Sequence, residues 1–517
     1  MSNSDSNHGV VPVILQELTP LNNLPDGINP VDLQEYLYRR LGITPKKAKS
    51  KGYSYVGLIE YPTPVQNYML YFFPKYYDVS AIKPEDMFIA PDDSSGKRTK
   101  YYKHFSLVLK TINKYRWENY QTAVRENQML SQTDWNDSDQ NSKLAIAVTL
   151  IMDYLENGVY SNMKIRHTLC GNGEIDWNRT INHVAPVIND DGPYYFDYWT
   201  TDRVPNTETV IARVHEAIIK DCSVELSQYG LSELLELETP APYEGELDDF
   251  GDAEHIAMLI QRELAVQFVT QKQNLLNLML AYIRKESAAA EEGISMFGTA
   301  SFHTVWEKVC GRVFGNKLDD PIDRKFLPEE YKNASKWSDI EARSIWLVGG
   351  SRTESVEEEA ADETEENSSD KYTASKLKPD FVALKEEDGK RGILYILDAK
   401  YYVPKFSSKS VDDCPGVGDV NKQHLYQLTY LPLIGKNNWL VVNAFLMPSS
   451  YKNFQKTKKE ISTYCSLFDK LKVVSDNGCF TFAKIQTSFL DPEQLFRDYL
   501  NGDQQYLNNP LIKNLKA

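Results

Sequence analysis

Two short stretches decide the fold of this chain: KPDF at residues 378–381 and ILDAK at residues 396–400. Each lies at one end of an apolar, β-rich run, and a polar turn that contains glycine joins the two runs. Such a pattern predicts a β-hairpin. Asp398 and Lys400 are two residues apart, so they project from the same face of the second strand. The hairpin therefore brings both of them and Asp380 to one edge of a sheet.

The side chains at this edge suit a metal-dependent phosphodiesterase. Mg²⁺ prefers hard oxygen ligands and is usually held by one or two carboxylates together with several waters. Asp380 and Asp398 can supply the carboxylates and Ala399 a backbone carbonyl, so we expect Mg²⁺, or Mn²⁺ in its place. Lys400 can orient the attacking water or offset the charge that develops on the phosphate. Taken alone, the pattern is equally compatible with an ordinary charged hairpin end.

Two flanking segments add further candidate residues. Residues 301–313 have apolar side chains at helical spacing, and Glu307 lies beside this stripe, either aimed at the strands or solvated like most helix glutamates. Residues 415–430 combine a glycine-rich loop with a helix that carries Gln423 and Gln427 on neighbouring turns. The sequence thus collects acidic, basic and amide side chains around the predicted hairpin.

In this order, the segments resemble LlaJI-type restriction endonucleases, which are relatives of McrC, the nuclease subunit of McrBC systems. The spacing of the acidic residues and the lysine also matches the PD-(D/E)xK nuclease signature. The resemblance extends over about residues 50–517. The motifs that carry it are Trp306-Glu307, Lys378-Pro379-Asp380, Leu397-Asp398-Ala399-Lys400-Tyr401, the block at 415–426 and the stretch from Gly171 to Ile181.

The resemblance implies a fold and a set of residue roles. The expected fold is α/β (α+β multidomain), with an N-terminal β-rich and helical region and a C-terminal PD-(D/E)xK restriction-endonuclease-like core around a mixed sheet. The expected roles are metal binding by Asp380, Asp398 and Ala399, positioning of the nucleophilic water by Lys400, organisation of metal or water by Glu307, and a place near the scissile phosphate for Gln423 and Gln427.

The same resemblance implies Mg²⁺-dependent cleavage of double-stranded DNA in an anti-phage restriction system, with a McrB-like AAA+ GTPase as partner. The chain lacks the Walker A pattern GxxxxGK[ST], so we expect it to bind no nucleotide itself. Two other functions remain open: a non-cleaving scaffold that activates a McrB-like GTPase, and a repair or transposition nuclease of the same fold. The intact Asp380, Asp398 and Lys400 argue against a purely structural role.

The stretch from Gly171 to Ile181 is dense in turn-forming and polar residues. Asp176, Trp177 and Arg179 within it are candidates for contact with the partner, because a positive charge offered to a neighbouring GTPase site promotes phosphoryl transfer. The alternative is a structural loop in which Trp177 is an anchor and Arg179 pairs with Asp176 or Glu174.

The formal net charge of −16 is unexpected for a protein that binds DNA. Nine acidic residues and one basic residue within residues 351–370 account for −8 of it. This segment has no aromatic residue, so it is predicted to be a disordered or solvated insertion, with a DNA mimic as the less favoured alternative.

Basic residues interleaved with aromatics occur near the N-terminus and suit contacts with phosphates and bases, or else solvated loops. The candidates for DNA binding are Arg39, Arg40, Lys46, Lys47, Lys97 and Arg98.

The composition is that of a globular protein, with 42% hydrophobic and 25% charged residues. The sequence shows neither a secretory signal pattern nor an apolar run of about 18 residues, which a membrane span requires. Its 6 cysteines are scattered without a CxxC pair, which argues against a zinc site. We therefore expect a cytoplasmic protein that does not bind membranes.

At 517 residues the chain is too long for a single hydrophobic core. We predict three regions: an N-terminal β-rich region at 1–190 for DNA recognition or partner contact, a helical middle domain at 191–295 and a nuclease domain at 296–517. One predicted helix begins near residue 105, and the others cover 143–160, 207–226 with Thr207 as N-cap, 252–287 and 492–500. The predicted strands cover 56–62, 67–77, 438–448 and 480–485.

Overall fold

The computed structural model shows a mixed α/β protein with several separate β-sheets, as the sequence predicts. The acidic segment at 351–370 lies outside the residues that the structure describes. The described residues are 10–21, 24–25, 27–39, 52–87, 99–125, 142–292, 296–340, 342–347, 371–386, 391–406, 411–449, 464–465, 472–475, 478–481 and 484–502.

The strands are short and are distributed along the whole described chain. In order they are β1 (Val11–Gln16), β2 (Val56–Pro62), β3 (Asn67–Phe73), β4 (Asn162–Leu169), β5 (Glu174–Ile175), β6 (Val187–Asn189), β7 (Gly192–Tyr194), β8 (Trp199–Asn206), β9 (Met296–Thr299), β10 (Ala342–Leu347), β11 (Lys371–Leu377), β12 (Phe381–Lys385), β13 (Ile393–Ala399), β14 (Lys405–Phe406), β15 (Val411–Asp412), β16 (Leu440–Pro448), β17 (Tyr464–Cys465), β18 (Lys472–Ser475), β19 (Gly478–Thr481) and β20 (Ile485–Leu490).

The longest helices lie between the N-terminal strands and β9. The α-helices are α1 (Pro30–Arg39), α2 (Lys100–Arg125), α3 (Lys143–Asn157), α4 (Trp177–His183), α5 (Val210–Gln228), α6 (Leu231–Leu235), α7 (Ala253–Val266), α8 (Thr270–Glu292), α9 (Phe302–Val313), α10 (Val417–Thr429), α11 (Leu431–Asn437) and α12 (Pro492–Asn501). Single 3-10 turns occur at Pro84–Met87, Leu247–Phe250, Arg324–Phe326, Glu329–Tyr331 and Trp337–Asp339.

The N-terminal sheet has the strand order β1-β3-β2-β9, with β1 parallel to β3 and the other neighbours antiparallel. β2 and β3 are the predicted pair, but β3 ends at Phe73 instead of continuing to 77, because Pro74 has no N–H to donate to a ladder. β9 reaches this sheet after the helical region, so the predicted division at 296 falls on a strand of the N-terminal sheet. The division into domains stays a prediction.

A five-stranded sheet contains the predicted hairpin. Its order is β12-β13-β16-β20-β17, with β12 antiparallel to β13, and with β16 parallel to both β13 and β20. Phe381 pairs with Leu397, which confirms the hairpin. Leu397 belongs to the cluster that contains Trp306 of α9, whereas Ile396 belongs to the cluster that contains Tyr426 of α10. Because α9 and α10 cover opposite faces, β13 is buried along almost all of its length.

Residues 162–206 form what we call the 162–206 module. It contains the antiparallel sheet β4-β8-β5, the hairpin β6–β7 and α4. In β4 every residue after Asn162 is exposed, so neither face of this strand packs on the core. The module therefore stands apart from the hydrophobic clusters that hold the rest of the protein.

The predicted helix at 252–287 is wrong in its length, since two helices, α7 and α8, occupy this region. Gln267 has an extended backbone, and its side-chain oxygen accepts the N–H groups of Phe268 and Val269, both at 3.1 Å. These side-chain hydrogen bonds compete with the helical ladder. The apolar spacing continues through the break, which is why the sequence reads as one helix.

Two smaller corrections concern element ends. α5 begins at Val210 with Thr209, not Thr207, as N-cap, because the Thr209 hydroxyl accepts the Ala212 N–H at 3.1 Å. The predicted strand at 480–485 spans the end of β19 and the beginning of β20, and β20 is the one that joins the five-stranded sheet. The predicted helices at 143–160 and 492–500 are present as α3 and α12, and the one predicted near 105 is α2.

Among the described residues, no helix is long and apolar enough to cross a membrane.

Candidate active site

The hairpin brings the predicted acidic residues together at one end of the five-stranded sheet. Asp380 precedes β12 and Asp398 lies near the end of β13, and the antiparallel register places them opposite each other. The Ala399 N–H donates to Asp380 Oδ2 at 2.9 Å. Lys400 follows the strand, and its N–H donates to the Leu446 carbonyl of β16 at 2.9 Å. Backbone pairing with both neighbouring strands thus fixes where these side chains begin.

Asp398 and Lys400 form an ion pair in a largely buried place. Lys400 Nζ lies 3.0 Å from Asp398 Oδ1, while the Asp398 side chain is almost fully buried. Burial raises the pKa of Asp398 well above its usual range, and the adjacent Asp380 carboxylate adds to the shift. Burial alone would lower the pKa of Lys400, but Asp398 and Asp380 together hold it above its ordinary value. Negative charge is therefore concentrated here beside a single ammonium group.

Glu307 reaches the same cluster from α9. Burial raises the pKa of Glu307, the Lys400 ammonium opposes that shift, and Asp398 adds to it, so the three charges are close enough to interact. The helix is held in place by Trp306, whose Nε1–H donates to the Leu446 carbonyl at 3.2 Å. The same carbonyl accepts the Lys400 N–H, so one backbone oxygen positions both the helix and the lysine.

The donor set fits a hard divalent cation. Asp398 Oδ1 is buried and accepts no well-directed hydrogen bond, since Lys400 Nζ approaches it off the hydrogen-bonding direction. Within the described ranges, no three His, Cys, Asp or Glu side chains are arranged as a metal-binding group. Mg²⁺ needs only one or two carboxylates because it keeps several waters. A buried carboxylate oxygen that contacts the Lys400 ammonium and lies next to Asp380 is compatible with such a site.

Gln423 and Gln427 are buried between α10 and the sheet. The Gln423 side-chain amide donates to the Ile396 carbonyl of β13 at 3.0 Å. Asn443 of β16 donates to the Gln423 carbonyl at 3.2 Å and to Gln427 Oε1 at 3.4 Å. These hydrogen bonds tie α10 to β13 and β16. A place for either glutamine near a scissile phosphate stays a prediction.

Asp419, in the first turn of α10, is a member of the site that the sequence reasoning missed. Its Oδ1 lies 3.9 Å from Lys400 Nζ, and its Oδ2 accepts the Gly416 N–H at 3.1 Å. Gly416 is the N-cap of α10 and Asp419 lies three residues later, which is the capping-box position for an acidic residue. The sequence therefore contained a signal for the beginning of this helix. Asp419 thus orients the beginning of α10 and faces the same lysine as Asp398.

Tyr401 connects the site to the N-terminal sheet. Its half-buried ring packs against Phe302 and Trp306, and its hydroxyl donates to Glu17 Oε2 at 2.7 Å. The Lys75 N–H donates to the Tyr401 hydroxyl at 3.3 Å, and Lys75 Nζ lies 4.6 Å from the centre of the ring. No local pattern reveals this contact, because 384 residues separate Glu17 from Tyr401.

A cleft of about 960 Å³ opens beside the cluster, and Glu307 and Asp380 form part of its wall. The rest of the lining comes from α2, from α9 and the segment at 314–320 that follows it, and from β12. Three lysines line it as well: Lys308, Lys317 and Lys378. The two carboxylates are thus accessible from a cavity large enough for a sizeable ligand.

The three residues predicted to contact a partner lie together in the 162–206 module. Asp176 caps α4 by accepting the Arg179 N–H at 3.0 Å, and the Arg179 guanidinium lies 5.3 Å from the Trp199 ring centre. The Trp177 side chain is 55% exposed. Arg179 therefore takes part in local packing, as the structural interpretation expected, but its side chain stacks on Trp199, and Asp176 binds its backbone.

The grouping of the predicted DNA-binding residues stays a prediction, because the structure describes the position of one of the six. Arg39 is the last residue of α1. The other five candidates lie outside the described residues: Arg40, Lys46, Lys47, Lys97 and Arg98.

Comparisons with known proteins agree with the resemblance noted in the sequence. The family model described as LlaJI restriction endonuclease matches residues 55–343 and 363–463. A similar protein is the type II restriction enzyme BsuMI component YdjA of Bacillus subtilis (strain 168), which is 27% identical over 422 residues. The aligned region covers 80% of this chain and 74% of the relative.

Proposed function

This chain belongs to the LlaJI restriction endonuclease family, and from that premise we propose that it hydrolyses DNA phosphodiester bonds at the cluster of Glu307, Asp380, Asp398 and Lys400. In this proposal the five-stranded sheet is a PD-(D/E)xK nuclease core, Mg²⁺ is the cofactor and double-stranded DNA is the substrate. The homologous restriction enzyme component supports a role in a restriction system.

The observation that carries the proposal is the pairing of Asp380 with Asp398 across the hairpin, with the Lys400 ammonium 3.0 Å from Asp398. A structural hairpin end gains nothing from a buried carboxylate beside a second, half-buried one, because desolvation and repulsion both disfavour the charged form of Asp398. A bound cation would remove that penalty. The arrangement is therefore better suited to holding a metal than to stabilising the fold.

The residues divide the work as follows. Asp380, Asp398 and the Ala399 carbonyl would hold Mg²⁺, which when bound polarises a phosphoryl oxygen and makes a coordinated water more acidic. Lys400 orients the attacking water and offsets charge that develops on the phosphate. Glu307, whose charge interacts with Lys400 and Asp398, would accept a hydrogen bond from that water and so help to orient it. Trp306 and Tyr401 hold these side chains in place through the Leu446 carbonyl and Glu17.

We further propose that a McrB-like AAA+ GTPase is the partner and that it binds the 162–206 module. Large apolar side chains are exposed there on several strands and on α4, and exposed apolar patches mark interaction sites. The exposed side chains are Met163, Ile165, Leu169, Ile175, Trp177, Ile181, Val187, Ile188, Tyr194 and Phe196. This patch also supports the second candidate function, a scaffold that activates the GTPase without cutting DNA.

A cleavage experiment separates these functions. Plasmid and phage DNA are incubated with Mg²⁺ and the wild type, Asp380→Asn or Lys400→Gln, each with and without a McrB-like protein and GTP. Lys325→Gln, on the exposed surface, is the matched control for the lysine. Cleavage by the wild type and the control, lost in the other two variants, supports the nuclease. Full cleavage by both site variants overturns the assignment, and stimulation of GTP hydrolysis without any cleavage supports the scaffold.

A further inference from the structure

We propose that the cleft beside Glu307 and Asp380 binds the DNA backbone next to the scissile phosphate, with Lys308, Lys317 and Lys378 contacting neighbouring phosphates. The inference rests on the proposed nuclease function and gives it a substrate-binding surface. It also moves the expected DNA contacts away from the basic clusters near the N-terminus. Four features of the cleft support it.

The first feature is position. Glu307 and Asp380 are at once members of the acidic cluster and part of the cleft wall, so a chain of phosphates lying in the cleft passes directly beside the proposed metal ligands. The cavity of about 960 Å³ is at the upper end of the size range of ligand sites. A segment of DNA backbone is a more fitting occupant than a small metabolite.

The second feature is the state of the three lysines. In the part of the chain that the structure describes, none of Lys308, Lys317 and Lys378 forms an ion pair with a carboxylate. By contrast, Lys110 pairs with Glu236 at 2.7 Å. Asp319 and Asp320 also line the cavity, so its charge is mixed, but the three lysines keep their ammonium groups available to a chain of phosphates.

The third feature is Gly311, which lies within α9 and lines the cleft. A Cβ at this position would meet only Asn316, at an ordinary contact distance of 3.7 Å. Glycine in a helix costs about 1 kcal/mol relative to alanine, and no contact within the described protein requires it here. The missing side chain leaves space in front of the helix, where a backbone can approach closely.

The fourth feature is the rigidity of the cleft wall. The Asn316 side-chain amide donates to the Asp380 carbonyl at 3.3 Å, and its oxygen accepts the Val382 N–H at 3.3 Å. The Lys317 N–H donates to the Val382 carbonyl at 2.9 Å. The Lys317 backbone is therefore anchored to the same strand end as Asp380, which keeps the lysine close to the carboxylate.

The lining indicates contact with phosphates rather than with bases. Phe314 is buried and stacks on Phe381, and the Tyr115 hydroxyl donates to Thr304 Oγ1 at 3.4 Å. Neither aromatic ring is presented as a platform for bases. Lysine contacts to phosphates position DNA without reading its sequence, so we expect this cleft to bind different sequences equally.

Binding of a duplex oligonucleotide without metal tests the proposal. The full-length protein, in EDTA and over a range of salt concentrations, is compared with a Lys308→Gln, Lys317→Gln and Lys378→Gln triple variant. The control changes three lysines that pair with carboxylates elsewhere: Lys110→Gln, Lys325→Gln and Lys332→Gln. Both triple variants have the same net charge.

The expected result is a smaller salt dependence of the cleft variant, by roughly 0.9 in the slope of log K against log salt for each lost phosphate contact. The control is expected to keep the slope of the wild type. Equal slopes for the two triple variants, with unchanged thermal stability, overturn the proposal.

Gly311→Ala gives an independent test that a folding defect does not imitate. Alanine favours the helix, so the melting temperature is expected to stay or rise while DNA binds at least severalfold more weakly. Binding equal to that of the wild type would exclude close approach at this helix.

The outcomes distinguish this proposal from the nuclease assignment. If the lysine substitutions weaken DNA binding but the wild type never cleaves DNA, the cleft proposal stands and the nuclease assignment is overturned. If cleavage depends on Asp380 but the lysine substitutions do not change DNA binding, the nuclease assignment stands and the cleft proposal is overturned.

Discussion

The end of β13 and the 162–206 module depart from ordinary surface and core composition in opposite ways. At the strand end, the acidic side chain of Asp398 is almost fully buried and that of Glu307 is half-buried. In the module, large apolar side chains such as Trp177 and Ile188 are exposed. Buried charges and exposed apolar patches both cost stability unless something binds them. The two regions therefore suit the two different ligands proposed for them, a metal with DNA at the strand end and a protein at the module.

The regions also differ in how firmly they are held. At the strand end, neighbouring strands and α9 fix the positions through backbone hydrogen bonds to Ala399, Lys400 and Leu446. At the base of the module, Gln267 Nε2 donates to Asn162 Oδ1 at 3.2 Å, and just before the module the Tyr160 N–H donates to His215 Nδ1 at 3.0 Å. Chemistry needs the first kind of region because reacting groups must be placed accurately. A surface for a partner tolerates the second.

Among these predictions, Asp398→Asn is expected to have the largest effect on the cleavage rate, and it tests the role of the charged strand end. Loss of a metal ligand should reduce the single-turnover cleavage rate on the order of 10³-fold, about 4 kcal/mol. The melting temperature in EDTA should change little, because the substitution removes the repulsion from Asp380 and the ion pair with Lys400 together. Asp323→Asn, at an exposed position, is the control. A normal cleavage rate for Asp398→Asn contradicts the proposed site.

Trp177→Ser tests whether the exposed apolar side chains of the 162–206 module bind a partner. If the module binds a GTPase, the substitution should weaken partner binding by about 2–3 kcal/mol, the size expected for an aromatic side chain at the centre of an interface. Cleavage stimulated by the partner should fall accordingly. The melting temperature should not change, because the side chain is 55% exposed. Phe268→Ser is the matched control, since Phe268 is 89% exposed and lies outside the module. Equal losses in both variants would show that the effect is not specific to the module.

Acid should weaken the base of the module. Burial lowers the pKa of His215 to about 4, whereas an unfolded histidine has a pKa near 6.5. The unfolded chain therefore binds the proton first, and the stability that neutral His215 contributes is present above pH 6.5 and lost as the pH falls toward 4. At pH 5 this single residue should cost about 2 kcal/mol of the free energy of unfolding.

His215→Gln keeps an acceptor for the Tyr160 N–H and cannot titrate. Denaturant unfolding at pH 7.5 and pH 5 should therefore show that this variant loses about 2 kcal/mol less of its free energy of unfolding than the wild type does. His255→Gln, at an exposed site, should behave like the wild type. Identical pH dependence of the wild type and His215→Gln would refute the assignment.

Tyr401→Phe should produce the smallest effect, and it tests whether the N-terminal sheet positions the strand end. Loss of the hydroxyl removes the 2.7 Å hydrogen bond to buried Glu17, which keeps the Lys75 N–H at 3.3 Å, and should cost about 1 kcal/mol of the free energy of unfolding. The turnover number should fall while KM stays constant, because Tyr401 touches Lys400 along the chain and no substrate. Tyr402→Phe is the control, since its hydroxyl makes no hydrogen bond within the described residues. A change in KM alone would argue against positioning.

Local patterns were sufficient to predict the hairpin and the meeting of Asp380, Asp398 and Lys400. The two apolar runs, the turn between them and the period of two determine these contacts within about 20 residues of sequence. Helices α3, α9 and α12 were predictable for the same reason, since their apolar spacing repeats locally.

The features that were missed depend on distant or competing contacts. The hydrogen bond between Tyr401 and Glu17 and the addition of β9 to the N-terminal sheet join residues hundreds of positions apart. The break between α7 and α8 depends on one side chain, Gln267, capping the backbone where the apolar period continues. The lysines of the cleft gave no signal, because their meaning comes from the cavity that they share.

The addition of β9 to the N-terminal sheet has a consequence for dividing this protein. Gly57 and Gly298 face each other so closely that a Cβ on Gly57 would lie 2.3 Å from the Gly298 Cα, so the two strands fit only as a glycine pair. A chain interrupted just before Met296 would give two fragments, each missing a strand pairing that the other provides. Such fragments should reassemble when brought together, and a bulky residue in place of Gly298 should keep them apart. The strand thus offers a natural place to build a nuclease whose activity is switched by joining its halves.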